Sequence, residues 1–578
     1  MAEIKVKKPK KEKVKVEYDV DNISGLGKKK LPVKFKKGSI LKLVILLACE
    51  AIFYYAETPA INIHNRGFYM WLIVTLIIIS VLFAGSGVAT IGKNLKNGDT
   101  PGLKQAFKKT GVTLGLAAVT FLVMVIGGIA SSKFFNASRY ASVIDISEAD
   151  FATEVPESEN VSNIALMDTD SARIIGARAV GSLSDVVSQF EVSENYSTID
   201  LNGAPMKVTS LAYAGFFKYM NNRKTGVPGY VLVDPVKNEA KYIKLEKPMR
   251  YVPSAYFNDN LERHVQMKYP TALIDGYHFE IDNDGNPYYI CPVMTSHAGL
   301  FGAMDVKGII LCDPCTGDCD YMDVADVPNW VDRVYDGNLA TRKYNWYGTL
   351  SGGYWNSVFG NKGCKVTTDD YGYKVMDGDV YVYTGVTSVN GDESNIGFVL
   401  MNSRTGKSKY FPIAGAEEHS AMSAAEGQVQ NLGYIASFPS LVNVNGIPTY
   451  IMVLKDNAGL VKMYAMVNVE KYNIVATGTT QKEALASYRK LLASEGLIDA
   501  KKTASDDTPS ADITIASVRY VTTEGETYVY ITDAKGDVYK SLFADDETLI
   551  FLDEGDKIKV YYAENENGIR TLISYEMK

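Results

Sequence analysis

The sequence predicts a multi-domain chain: an α-helical transmembrane anchor, then a series of α+β modules, then a small C-terminal β-barrel. Three observations predict it. Long apolar stretches fill the first quarter, one hairpin pattern recurs in register through the middle, and the last 66 residues alternate strongly between apolar and polar. A chain of 578 residues has room for several domains. With 46% apolar and 22% charged residues it is neither mainly disordered nor fibrous. Six cysteines are too few for a disulfide-stapled scaffold. The net charge of −7 conceals a split: residues 1–132 carry 20 Lys/Arg against 8 Asp/Glu, a balance of +12, which leaves −19 on the remainder.

The anchor comes first. Residues 39–56, 68–91 and 111–130 are each near the ~20 residues that cross ~30 Å of hydrocarbon. Phe53, Tyr54, Tyr55, Phe68, Tyr69 and Trp71 mark membrane interfaces, where aromatic rings concentrate. Glu50 is the one acidic residue well inside an expected span; its place near the end of a short span lets it reach the interface, and the alternative is a proton or ion path. The basic leader is long and two more spans follow, so it does not read as a removable signal peptide. Thirteen lysines, Lys5 to Lys37, precede the first span, and Lys93, Lys96, Lys104, Lys108 and Lys109 lie between the second and third, whereas only Arg66 lies between the first and second. The positive-inside rule then puts residues 133–578 outside the cell. Alternating Lys and Val without aromatic interleaving gives no base-stacking platform, so the leader rests on anionic lipid and nucleic acid is not an expected partner.

The outer region is repetitive. Gly229, Asp234, Asn238 and Tyr242 recur at the same offsets as Gly308, Asp313, Gly317 and Tyr321, and as Gly397, Asn402, Gly406 and Tyr410. A looser copy runs from Tyr450 through Asp456 and Gly459 to Tyr464. An apolar strand, a tight turn and a returning strand make each copy a β-hairpin. Turns at Asn202-Gly203, Asp284-Gly285 and Asn445-Gly446 feed further strands. Helices are expected at 182–190, 417–432 and after the capping box Thr480-Gln-Lys-Glu483. The whole reads as modules of some 80–90 residues in series over 133–498, each a small sheet with a helix against it.

The hairpin of Asp313 to Tyr321 and of Asn402 to Tyr410 resembles the end of a PepSY module, over about residues 200–470. PepSY modules are small α+β units outside the bacterial membrane; the resemblance implies partner binding and, for some, restraint of peptidases. The complete chain also resembles uncharacterised multi-pass envelope proteins of Gram-positive bacteria. Residues 499–512 read as a polar linker, and the five short strands of 513–578 suggest a closed barrel resembling an OB-fold or SH3-like barrel.

Chemistry is sparse. Cys312, Cys315 and Cys319 form C-x₂-C-x₃-C, and Cys291 or Cys364 could complete a metal site. Cys312 instead fills the strand position of Val233 and Met401, and Cys319 lies across the turn from it, so a disulfide and free thiols also stand open. His64, His264, His278, His297 and His419 show no ligand spacing, and Asp282-Asn-Asp284 lacks the twelfth-position Glu of a calcium loop. No catalytic residue and no cofactor is expected from any local motif. The 38 tyrosines could line a sugar or peptide groove, or cover strand faces. The expected function is membrane-anchored binding or scaffolding in the cell envelope: docking a protein or wall polymer, or restraining an envelope enzyme. The alternatives are an accessory subunit of a transport or secretion complex and a cell-wall-acting hydrolase. A hydrolase requires at least two carboxylates, or a Cys/His pair, converging in the largest cleft.

Overall fold

The computed structural model describes residues 37–94, 101–157, 165–389, 394–498, 509–523, 526–563 and 568–578. The lysine leader before Lys37, Lys96 and most of the expected linker lie outside the described residues. The chain divides into two compact units, Met1–Ile52 and Phe53–Lys578.

Lys37–Glu57 is a single helix in which Glu50 is half-buried. Arg66–Asn94 and Pro101–Ala130 form a helical pair. Two segments of it, Arg66–Gly85 and Lys104–Ala130, are long and apolar enough to cross a membrane. Val74, Ile77 and Val81 on one helix and Val119, Leu122 and Ile126 on the other stay exposed. Between them the Ser80 and Thr113 hydroxyls meet at 2.6 Å. Half-buried Trp71 lies 6.2 Å from the Tyr54 ring.

Four sheets follow. The first holds Phe190–Val192, Ser197–Leu201, Ala204–Tyr213, Val227–Asp234 and Glu239–Met249. The second holds His278–Ile281, Pro287–Ala298, Gly302–Cys312 and Cys319–Asp323. The third is built on Asp379–Ser388, Gly397–Asn402 and Lys407–Phe411, with Lys365–Thr367 and Gly372–Met376 beside them. The fourth centres on Ser440–Val444, Ile447–Lys455, Val461–Asn468 and Val475–Gly478.

All four expected hairpins form, and the first three share one mechanism. Asp234, Asp313 and Asn402 each accept two backbone N–H groups from the residues just beyond them, and Asn238, Gly317 and Gly406 turn the chain at positive φ. The motif's tyrosine has a packing reason. A side chain on Gly229, Gly308 or Gly397 would strike Tyr242, Tyr321 or Tyr410, each of which lies across the bare backbone of its glycine. An aromatic ring thus covers the glycine in the neighbouring strand.

Two expectations change. The helix expected over 182–190 shrinks to the single turn Ser184–Val187, because Phe190 begins a strand. The modules are also not beads in series. Val231 and Val208 of the first sheet share a core with Cys291 and Ile310 of the second. Ile290 and Ile309 of the second pack with Val382 and Val399 of the third. Phe398 and Leu400 of the third pack with Tyr450 and Met452 of the fourth. Strands such as Gly397–Asn402 are apolar at successive positions, so both faces need covering and neighbouring sheets supply it. Asp145–Glu148, which follows the apolar helices, pairs in parallel with Lys407–Phe411 and ties their exit to the third sheet.

The C-terminal barrel is closed. Its strands are Ser510–Thr523, Glu526–Asp533, Val538–Leu542, Lys557–Ala563 and Ile569–Met577. The first pairs with the second and fourth, and the third runs parallel to the fifth. The first strand begins inside the stretch expected as linker. The capped helix Gln481–Ser494 docks the barrel through Lys490, which donates to the Leu572 carbonyl at 2.7 Å.

Candidate functional site

A cavity of about 570 Å³ opens where residues of all four sheets meet, within the size range of small-ligand sites. Ser197, Thr198, Lys207 and Ser210 come from the first sheet, His278, Phe279 and Tyr289 from the second, Gly372, Tyr373 and Tyr383 from the third, and Ser440 from the fourth. Arg333 and Tyr371 reach it from connecting segments.

Lys207 dominates the electrostatics. It is 8% exposed, and among the described residues its ammonium donates only to the Thr198 hydroxyl, 3.2 Å away. Burial lowers it to about 8, Asp168 opposing and Arg333 adding to the shift. Asp168 is otherwise engaged: it caps the helix Thr169–Gly181 through the Ser171 N–H at 2.8 Å and forms an ion pair with Lys455. Among the described residues neither Lys207 nor Arg333 forms a salt bridge.

Arg333 is aimed from behind. The buried Glu280 carboxylate accepts the backbone N–H groups of Asp332 and Arg333 at 2.9 and 2.8 Å and fixes that turn. Asp332 in turn accepts the Asp200 N–H at 2.7 Å. Burial pushes both carboxyls up, and Glu280 pushes Asp332 further. The Arg333 guanidinium lies 5.9 Å over the Tyr373 ring, and its Nε finds no acceptor among the described residues. Burial, then Arg333, holds His278 down at about 3, so this ring is neutral at ordinary pH. Two cations that form no salt bridge among the described residues and an aromatic wall of Tyr371 and Tyr373, whose rings meet edge to face at 5.8 Å, suit a ligand with an acidic group and a flat or ring-shaped body.

None of this was singled out in the sequence. Lys207 has the one available signal, a lysine at the start of the buried run Lys207–Leu211 in the strand Ala204–Tyr213. Of the acids in the cavity wall, Glu194 and Asp370 are exposed and Asp168 is committed to its cap and ion pair.

The cysteines gather elsewhere. Cys312 and Cys319 are cross-strand partners with sulfurs 3.1 Å apart, free thiols in the core that also holds Cys291. The contact with Cys312 draws Cys319 down, against burial and with help from His264. Cys315 turns away to the Lys247 carbonyl at 3.2 Å. Cys364 lies far along the chain, bonded to the Thr349 carbonyl. Among the described residues no three His, Cys, Asp or Glu side chains are arranged to hold a metal ion. Asp282 closes an ordinary turn on the N–H groups of Asp284 and Asn286. No family model matches the chain, and no curated protein matches it.

Proposed function

We propose that the chain is a membrane-anchored binding protein of the cell envelope, whose PepSY-like modules and OB-like barrel lie outside the membrane and whose central cavity takes an acidic saccharide or polyol-phosphate unit of a wall polymer. The lysine distribution supports the orientation. The glycine–tyrosine hairpins support the PepSY likeness, and the barrel's strand order with its parallel third and fifth strands supports the OB likeness. The observation that carries the binding reading is Lys207, a buried cation facing a cavity with no carboxylate bonded to it among the described residues. An acidic ligand group would supply the partner that the protein withholds. The body's charge of −19 beyond residue 132 repels long polyanions, so the fitting ligand is a short unit or a chain end.

Calorimetry on the full chain in lipid nanodiscs tests this with glycerol 3-phosphate and glucuronate as probes. The reading expects at least one probe to bind, and Lys207→Met to weaken it by about tenfold or more. Binding of neither, or equal binding to wild type, Lys207→Met and Arg333→Gln, refutes it. Protease shaving of intact cells tests the orientation separately: release of peptides from residues 133–578 supports it, and their protection until lysis reverses it.

A further inference from the structure

Large aromatic side chains stand exposed in two clusters, and both lie where the body meets the ends of the apolar helices. The first cluster joins Phe134 and Phe135 to Tyr354, Trp355 and Phe359. Trp355 is 62% and Phe359 78% exposed. Their rings stack at 5.7 Å, with Phe134 edge-on to Tyr354 at 5.1 Å and to Trp355 at 5.7 Å. A short π-helical turn, Asn356–Gly360, presents Val358 and Phe359 outward. The second cluster joins Phe216, Phe217, Tyr256 and Phe257. Phe217 is 80% exposed, and Phe216 packs edge to face with Tyr256 at 5.1 Å. Phe257 holds positive φ, a conformation unusual for a bulky residue.

Both clusters are tied to the anchor. Phe134 follows Ala130, the last residue of the span Lys104–Ala130, by four positions. The helix ends there and the chain turns at Ser131 and Ser132, and the Asn136 side chain returns to the Ala130 carbonyl at 2.6 Å, which keeps Phe134 beside the span's end. The polar zone beyond the hydrocarbon is about 5–7 Å deep on each side, the zone that a cluster beside the end of a membrane span would meet. The second cluster adjoins Tyr55: its hydroxyl donates to Asn258 at 2.7 Å, and the Arg263 guanidinium donates to its carbonyl at 2.7 Å and covers its ring at 4.6 Å. The hairpin turn at Leu300 and Phe301 also closes on the helix ends. Phe301 packs on Tyr69 at 5.6 Å under the Arg66 guanidinium, and its N–H donates to Ser131 at 3.0 Å.

We propose that these two aromatic clusters are a bilayer-seating surface: they dip into the lipid headgroup zone on the body's side of the membrane and hold the body against it. Tryptophan and phenylalanine at this depth are placed as in the aromatic belts of membrane proteins. The proposal rests on the helices spanning the membrane, and continuity with the span ends makes lipid the occupant.

The test is fluorescence of the full chain in phosphatidylcholine–phosphatidylglycerol vesicles carrying a spin-labelled lipid, with the label near the headgroup or near the bilayer centre. Subtracting the emission of Trp355→Phe isolates Trp355. A Phe217→Trp substitution in the Trp355→Phe chain reports the second cluster, and subtraction of Trp71→Phe reports the anchor. Quenching of Trp355 and of the new tryptophan is expected to be about twofold stronger with the shallow label than with the deep one. A quenched Trp71 beside unquenched clusters overturns the seat and leaves the anchor standing. An unquenched Trp71 overturns the anchor. Clusters shielded from soluble acrylamide yet blind to both lipid labels would assign this face to a protein contact and also overturn the proposal.

Discussion

Replacing Lys207 with methionine should stabilise the protein while removing its proposed ligand contact. A lysine held at about 8 instead of its ordinary 10.5 corresponds to about 3 kcal/mol against the charged form in the folded state. At neutral pH the lysine is charged in both states, so the folded state bears that cost in full. Methionine has similar length and no charge, and it should recover about 2–3 kcal/mol, less whatever packing a water-accessible cavity denies it. The pH dependence gives the sign independently. A depressed lysine releases its proton on folding between about pH 8 and 10.5, so wild-type stability should rise over that window and close the gap to the variant. Unfolding of so large a body is not expected to be two-state, so native-state hydrogen exchange is the fitting assay. Amides of Ser197–Leu201 and Ala204–Tyr213 that exchange through opening of this sheet should slow by about 100-fold at pH 7. Unchanged or faster exchange in Lys207→Met, or a gap that persists beyond pH ~10.5, would refute the claim that burial of this charge is costly.

Three further outcomes follow from particular contacts. Asp332→Asn should lift the melting temperature more at pH 8 than at pH 5: a buried carboxyl with a raised pKa costs stability as pH climbs above its ordinary value of about 4, and the amide can still accept the Asp200 N–H. An equal shift at both pH values would contradict it. Gly176→Ala should destabilise, although helix propensity alone favours alanine by up to ~1 kcal/mol, because its Cβ would run into the Tyr196 hydroxyl in the packed interface; a raised melting temperature would show that the interface gives way. Mild oxidation of the full chain with diamide should join Cys312 to Cys319 and leave Cys364 free, since only the first two face each other across paired strands, and peptide mapping without reductant reads the result.

The hairpins were legible because everything that makes them is local. An Asp or Asn that caps its own turn, a residue at positive φ and a tyrosine covering a glycine all fall within fourteen residues of chain. The barrel strands were legible for the same reason, since alternation is a period-two signal. The cavity was not. Lys207, His278, Arg333 and Tyr371 come from four segments with no shared spacing, and Arg333 is aimed by Glu280 through a backbone contact that no motif records. The cysteine run was visible as a pattern, but which thiols meet depended on strand register: pairing Cys312 with Cys319 leaves Cys315 on the turn. The sharing of cores between sheets was hidden too, because an apolar run states that a strand is covered without naming what covers it.

The same substitution at two buried lysines separates a binding residue from a structural one. Among the described residues Lys207 and Lys343 are the least exposed lysines. Lys343 donates to Asp305 at 2.8 Å and lies 4.7 Å over the Tyr335 ring, so its charge is answered inside the protein. Lys343→Met would leave the Asp305 carboxylate buried beside an apolar chain, and breaking such a pair costs about 3–5 kcal/mol. Lys207→Met strands no carboxylate, because Asp168 keeps Lys455 and its helix cap. One lysine-to-methionine change should therefore destabilise and the other stabilise, and hydrogen exchange on the two variants measures both. A destabilised Lys207 variant would mean that its charge is answered within the protein after all, and the cavity would lose its claim to an anionic ligand. Opposite signs would leave a cation that the fold keeps at a cost to its own stability, and an acidic ligand is the partner that offsets that cost.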